Sequence, residues 1–166
     1  MPTLKTLLLE KIKKAKRIAV LGVGSDLRAD DAAGMLSAKL IKKRLEKKSR
    51  ALDLKVFFGE TAPENVTGEI KKFKPTHVMI IDSADMGKKA GEVTLLEPKK
   101  ISNVSFSTHQ LPLKILADYL EISLKCRVII IAIQFKTIKF GASLSKEVKS
   151  AAKLISTTLS EVLKSL

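Results

Sequence analysis

Apolar residues fall along this chain in two rhythms: short unbroken runs, and longer stretches at helical spacing. The runs cover residues 18–21, 54–58, 77–81, 92–96 and 127–133. Each is bounded by glycine, proline or polar residues and reads as a strand. The run RVIIIAI at 127–133 has no polar break, which predicts burial on both faces, as in a parallel sheet. Residues 92–96 are half polar and predict an edge strand. Between the runs, apolar positions three and four apart predict helices. These cover residues 3–16, a stretch beginning near Ala32 and running to about Lys48, 65–73, a segment from Pro112 through Leu120, and a last stretch carrying Val148, Ala152, Ile155, Leu159 and Leu163. Ser143 or Ser145 is placed to cap that last helix. Strands and helices in alternation predict a three-layer α/β domain.

The most informative stretch is residues 17–34, RIAVLGVGSDLRADDAAG. It reads as a strand, a turn at Gly22 and Gly24, an acidic pair, then a helix. Ligands in open α/β sheets bind beyond the carboxyl ends of strands, where Asp30 and Asp31 fall. The glycines do not complete a dinucleotide fingerprint, because its third glycine position is Leu27, and no GK[ST] follows. Two carboxylates also suit a cation better than a pyrophosphate. The acidic pair therefore reads either as helix capping or as part of a cation site.

Asp82 follows Met79, Ile80 and Ile81, and His109 precedes a helix. In a parallel sheet Asp31, Asp82 and His109 could all reach the carboxyl edge. Two carboxylates and an imidazole suit a borderline divalent metal such as nickel, zinc or manganese, with positions left open for substrate. The competing reading is two caps and a loop histidine. His77 opens the strand that Asp82 closes, roughly 16 Å away along extended chain, and reads as structural. Asp85 supports the site from outside or is solvated.

Composition narrows the classes. At 166 residues the chain suits one domain, 1–166, with a sizeable core. The net charge of +14 raises nucleic-acid binding, but the lysines are spread over several faces and no binding motif is visible. Aromatic residues, at 4%, are too sparse for a base-stacking platform. The charge reads as solvated surface, with steering of an acidic protein partner as a secondary role. Cys126 is the only cysteine, which excludes a disulfide framework and a multi-thiolate metal site; it reads as a small core residue. No run is long enough to span a bilayer and the first residues do not form a signal peptide, so the expected location is cytoplasmic.

Four separated motifs carry a resemblance: GVGSDLRADDAAG, TAPEN at 61–65, KPTHVMIIDSADMGKKAGEV at 74–93 and STHQLPL at 107–113. In order and spacing, the chain resembles the hydrogenase maturation endopeptidases, which process the large subunit of nickel–iron hydrogenases. The resemblance implies an α/β/α fold with a mainly parallel twisted sheet of about five strands, in which residues 1–16 are a helical extension. It implies a peptidase that removes the C-terminal peptide of the large-subunit precursor after nickel insertion. Asp31, Asp82 and His109 match the family's metal-contacting positions, which leaves Asp30 as a cap or as a support for its neighbour. The nickel is expected to arrive in the precursor, with no organic cofactor, no nucleic-acid partner and no membrane insertion. Ser25 stands where the family usually has asparagine, and Ala32 where it often has glycine. The rival expectation is a nickel-sensing checkpoint or chaperone that binds the same precursor without cutting it.

Overall fold

The computed structural model describes residues 1–46, 52–101, 104–106 and 112–166. Its sheet is built on three strands whose apolar runs leave no face for water. β1 (Arg17–Val23) is buried at every residue after the first. The longer β3 (His77–Asp85) is buried through Ala84, and β6 (Arg127–Gln134) after Arg127. The edges are more polar: β2 (Asp53–Glu60) on one side, the short β4 (Val93–Leu96) on the other. The order is β2-β1-β3-β6-β4. β2, β1, β3 and β6 run parallel, whereas β4 pairs antiparallel with β6.

Helices cover both faces. α1 (Leu4–Ile12), α2 (Ala33–Leu45) and α5 (Lys146–Ser165) lie on one. There Leu8, Ile12, Ile41, Ile155 and Leu159 pack with Val20, Met79, Ile81 and Ile129. α3 (Thr67–Phe73) and α4 (Leu113–Leu124) lie on the other, where Ile70, Leu116 and Leu120 pack with Leu21, Ile80 and Ile130. The expected three-layer α/β/α fold with a mostly parallel sheet is thus the observed one. Among the described residues no helix is long and apolar enough to cross a membrane.

Several boundaries differ from the pattern reading, for physical reasons. The sheet has six strands, because Ser105–Phe106 (β5) pairs antiparallel with the end of β3. Two residues are too few to show a period. β3 does not stop at Asp82: pairing with β6 continues from Asp82↔Ala132 to Ala84↔Gln134. A buried polar pair, Asp82 and Ser83, that would end an exposed strand is carried here inside one. α1 ends at Ile12, and Pro63 opens a 3-10 turn (Pro63–Val66) ahead of α3. Ser145 is the residue that caps α5, its hydroxyl accepting from the Val148 N–H. α2 ends at Leu45, where Glu46 turns extended, ahead of the expected end near Lys48, which lies outside the described residues.

β1 pairs with β3 only as far as Gly22↔Ile81. Beyond that point the strands part, and the chain order turns from β2 on one side of β1 to β3 on the other. This is the topological switch point of the sheet, where open α/β folds hold their ligands. The first turn of α2 lies directly on it. A Cβ added to Gly34 would stand 2.1 Å from the Ile81 carbonyl oxygen and 2.3 Å from that of Val23. Only a residue without a side chain allows that approach. Gly34→Ala should therefore lower stability by about 1–3 kcal/mol in urea denaturation, the range for forced overpacking. Gly68→Ala, in α3 with nothing within 4 Å of the added atom, should leave stability unchanged or raise it by about 0.5–1 kcal/mol.

Candidate functional site

Asp31 and Asp82 both lie at the switch point and both are fully buried. Asp31 ends the loop after β1, in a 3-10 turn (Ala29–Ala32) that leads straight into α2. Asp82 follows Ile81, the last residue of β3 to pair with β1. Ser83 links the two carboxylates. Its N–H donates to Asp82 Oδ1 at 2.8 Å, and its hydroxyl donates to Asp31 Oδ1 at 3.3 Å. The other oxygen of Asp31 accepts from the Ser25 N–H at 3.1 Å. Gly24, at φ +133, makes this possible: a Cβ there would stand 1.8 Å from the Asp31 carbonyl oxygen. Two carboxylates are thus aimed by backbone and hydroxyl donors at one end of the sheet. Hard carboxylate oxygens of this kind can bind a divalent cation.

His109, the third expected donor, lies outside the described residues. Among the described residues no three acidic, histidine or cysteine side chains gather as metal ligands. His77 stands at the amino ends of the strands, paired with Ile18 and Arg127, the opposite end from Asp82. Its Nδ1 lies 3.0 Å from the Thr76 hydroxyl. Burial, with help from the nearby Arg127 charge, holds its pKa below the usual histidine value. Asp85 is exposed, its carboxylate accepting from the Gly87 N–H and from the Gln134 amide.

Asp30 does not cap the helix that follows it; neither the 3-10 turn nor α2 has a side-chain cap. Its carboxylate reaches instead to the far end of the chain. It accepts from the N–H groups of Lys136, Thr137 and Ser145 at 2.8, 3.2 and 2.7 Å, and from the Ser145 hydroxyl at 2.9 Å. That hydroxyl is the cap of α5. One buried charge therefore fastens the loop of the site to the loop after β6 and to the start of α5. Such charge-assisted bonds are among the stronger hydrogen bonds in proteins.

Sequence reasoning missed Ser83 and Gln134. Ser83 sits inside the DSADMG motif, but a lone serine after an aspartate carries no signal of its own. Gln134 is buried at the end of β6, and its Oε1 accepts from the N–H groups of Met86 and Lys88 at 2.7 and 3.2 Å. It holds the loop that follows β3. An apolar strand that ends in glutamine was the available hint.

The model of the hydrogenase maturation protease family HycI matches residues 35–163, a span that contains Asp82 and His109 and begins after Asp31. The chain is 36% identical over 166 residues to a protein of Methanocaldococcus jannaschii named as a candidate hydrogenase maturation protease, with 98% of each chain covered. It is 30% identical over 137 residues to the hydrogenase 3 maturation protease of Escherichia coli K12, covering 82% of this chain and 84% of that one. The crystal structure of a nickel–iron hydrogenase maturation protease HycI from Thermococcus kodakarensis superposes with a TM-score of 0.83 at 30% identity, over 95% of this chain and 99% of that chain.

Asp30→Ala should lower stability by about 3 kcal/mol in denaturant titration, because several donors lose their acceptor together. Asp26→Ala, which breaks only an exposed pair with Lys39 at 3.0 Å, should stay within about 0.5 kcal/mol of the parent.

Cys126 gives a second check. Burial pushes its thiol up to about 11, and the Sγ donates to the Leu120 carbonyl at 3.5 Å. At pH 8 the thiolate is therefore scarce. Iodoacetamide at pH 8 should label the native chain slowly and the unfolded chain fast, as read by mass spectrometry.

Proposed function

The chain belongs to the hydrogenase maturation protease family, and on that premise we propose that it is an endopeptidase. It cuts the large-subunit precursor of a nickel–iron hydrogenase at one peptide bond and releases the C-terminal peptide after nickel has been inserted. The observation that carries this reading is the pair of fully buried carboxylates, Asp31 and Asp82, joined through Ser83 at the switch point of the sheet. Buried carboxylates are costly unless paired or set toward a cation.

The nickel is part of the substrate. Asp31, Asp82 and, from the sequence motif, His109 are the residues that meet it. Two carboxylates and an imidazole fit a borderline cation but lack the thiolates that hold one tightly, so affinity for loose metal is weak. Nickel supplies Lewis acidity toward the scissile carbonyl or a bound water. The protein's own part is orientation. The Ser25 and Ser83 N–H groups and the Ser83 hydroxyl fix the carboxylate planes before the precursor arrives, so little rearrangement is needed on binding. Nickel in the precursor thereby serves as a test of loading: the cut follows only when the partner's metal completes the contacts.

The experiment is parallel digestion of nickel-loaded and nickel-free precursor at equal concentration, with chelator present, and mass measurement of both products. The loaded precursor should be cut and the unloaded one left intact. Asp82→Asn and His109→Ala should fold and lose more than about a hundredfold in cleavage rate. Lys149→Gln and Lys153→Gln, on α5, should cut normally. Normal processing by Asp82→Asn would assign that carboxylate a structural role only. Equal cutting of both precursors would end the nickel-testing role and leave the peptidase standing. Binding of loaded precursor without any released peptide would favour a checkpoint instead.

A further inference from the structure

Two large apolar side chains stand in solvent on the same rim as Asp31 and Asp82. Leu27 is 65% exposed and Phe140 is 72% exposed. Neither lies in a helix or strand. Their loops are tied together by backbone: the Gly141 N–H donates to the Leu27 carbonyl at 2.9 Å, and the Asp30 N–H to the Thr137 carbonyl at 3.0 Å. The first loop is also tied to the site. The Leu27 N–H donates to the Ser25 hydroxyl at 3.2 Å, and the Ser25 N–H holds Asp31.

Phe140 is presented by a turn, closed by the Ala142 N–H donating to the Lys139 carbonyl at 3.2 Å. Gly141 follows it at φ +79, with open space around the position of a Cβ. Glycine is there for the conformation of the turn and not for packing. The aromatic ring is thus held out on a defined support. Burying such a side chain would remove apolar area from water, a gain that folding leaves unused. Fixed aromatic and aliphatic groups of this kind make binding hot spots.

The surroundings are basic. Residues 135–144 hold Lys139 and Lys136, the latter paired with Glu147 at 3.4 Å, and no acid of their own, and Arg28 adjoins Leu27. The nearby Asp26 is engaged by Lys39. With a net charge of +14, a second copy of this chain would bring like charge to the rim.

We infer that Leu27 and Phe140 form the surface on which the hydrogenase large-subunit precursor docks. The surface takes an apolar side chain, flanked by carboxylates, from the precursor segment beside the cleaved bond; this rests on the peptidase reading above. The residues set affinity and not chemistry, because neither stands among the groups that orient the two carboxylates.

The test uses the full chain and nickel-loaded precursor. The Kd is measured by calorimetry on the wild type and each rim variant, with nickel-loaded precursor whose scissile peptide bond is replaced by an uncleavable one, and KM and kcat by mass-resolved cleavage of the natural precursor. Leu27→Ser and Phe140→Ser should each raise Kd and KM about tenfold, with kcat within about twofold. Ile122→Ser removes an equally exposed apolar group near the end of α4, at the opposite rim, and should change neither. Unchanged Kd and KM in both rim variants, with wild-type cleavage intact, would overturn the docking surface alone. So would a fall in kcat at constant KM. If the wild type binds but does not cut, the peptidase reading fails and the Kd comparison still decides the surface. A wild type that neither binds nor cuts overturns both. A dimeric wild type with a monomeric Phe140→Ser would assign the surface to a second copy and overturn the proposal.

Discussion

The carboxyl rim depends on how closely α2 can lie on β1 and β3. Gly34 brings the helix backbone against the carbonyl groups of Val23 and Ile81, which belong to two different strands. Asp31 lies just before that helix, and Asp82 just after Ile81. One backbone contact therefore sets the positions of both carboxylates. Protein interiors pack without slack, so a bulkier residue at this point would move both ends at once. The Ser83 bridge then completes an arrangement that the backbone has already brought within reach.

Two adjacent aspartates share this rim and divide its work. Asp30 is consumed by structure: its oxygens collect donors from the loop after β6 and from the cap of α5. Asp31 points the other way, toward Ser25 and Ser83. A 3-10 turn makes this division possible, because neighbouring residues on so tight a turn face in different directions. The apolar rim residues follow from the same wiring. The hydrogen bonds that fix Asp30 to residues 136 and 137 also hold the loop carrying Phe140 beside the one carrying Leu27.

Much of the fold was legible because its central strands carry unbroken apolar runs, residues 18–21, 78–81 and 128–133, and periodicity finds such runs without help. The family motifs made Asp31 and Asp82 legible as a pair. What escaped was of two kinds. β5 is two residues long, and Asp82, Ser83 and Ala84 look like the end of a strand because their burial comes from β6, not from their own chemistry. The cap reading of Asp30 fails for a related reason. A carboxylate before a helix is a cap by local rules, and nothing local reveals that its donors come from residues 136–145. His109 stands where only its motif speaks for it.

The reach of Asp30 also has a consequence in time. Its partners are separated from it by 106 to 115 positions in the chain. A chain emerging from the ribosome cannot make these bonds until β6 and the start of α5 have been synthesised, however early β1 and α2 come together. The strands and helix that bear the acidic pair are thus among the first parts made, while the clasp that steadies their loop is among the last. Closing so long a loop is entropically slow, which marks completion of this rim as a late event in folding. A partly made protease of this design is therefore without a finished working end.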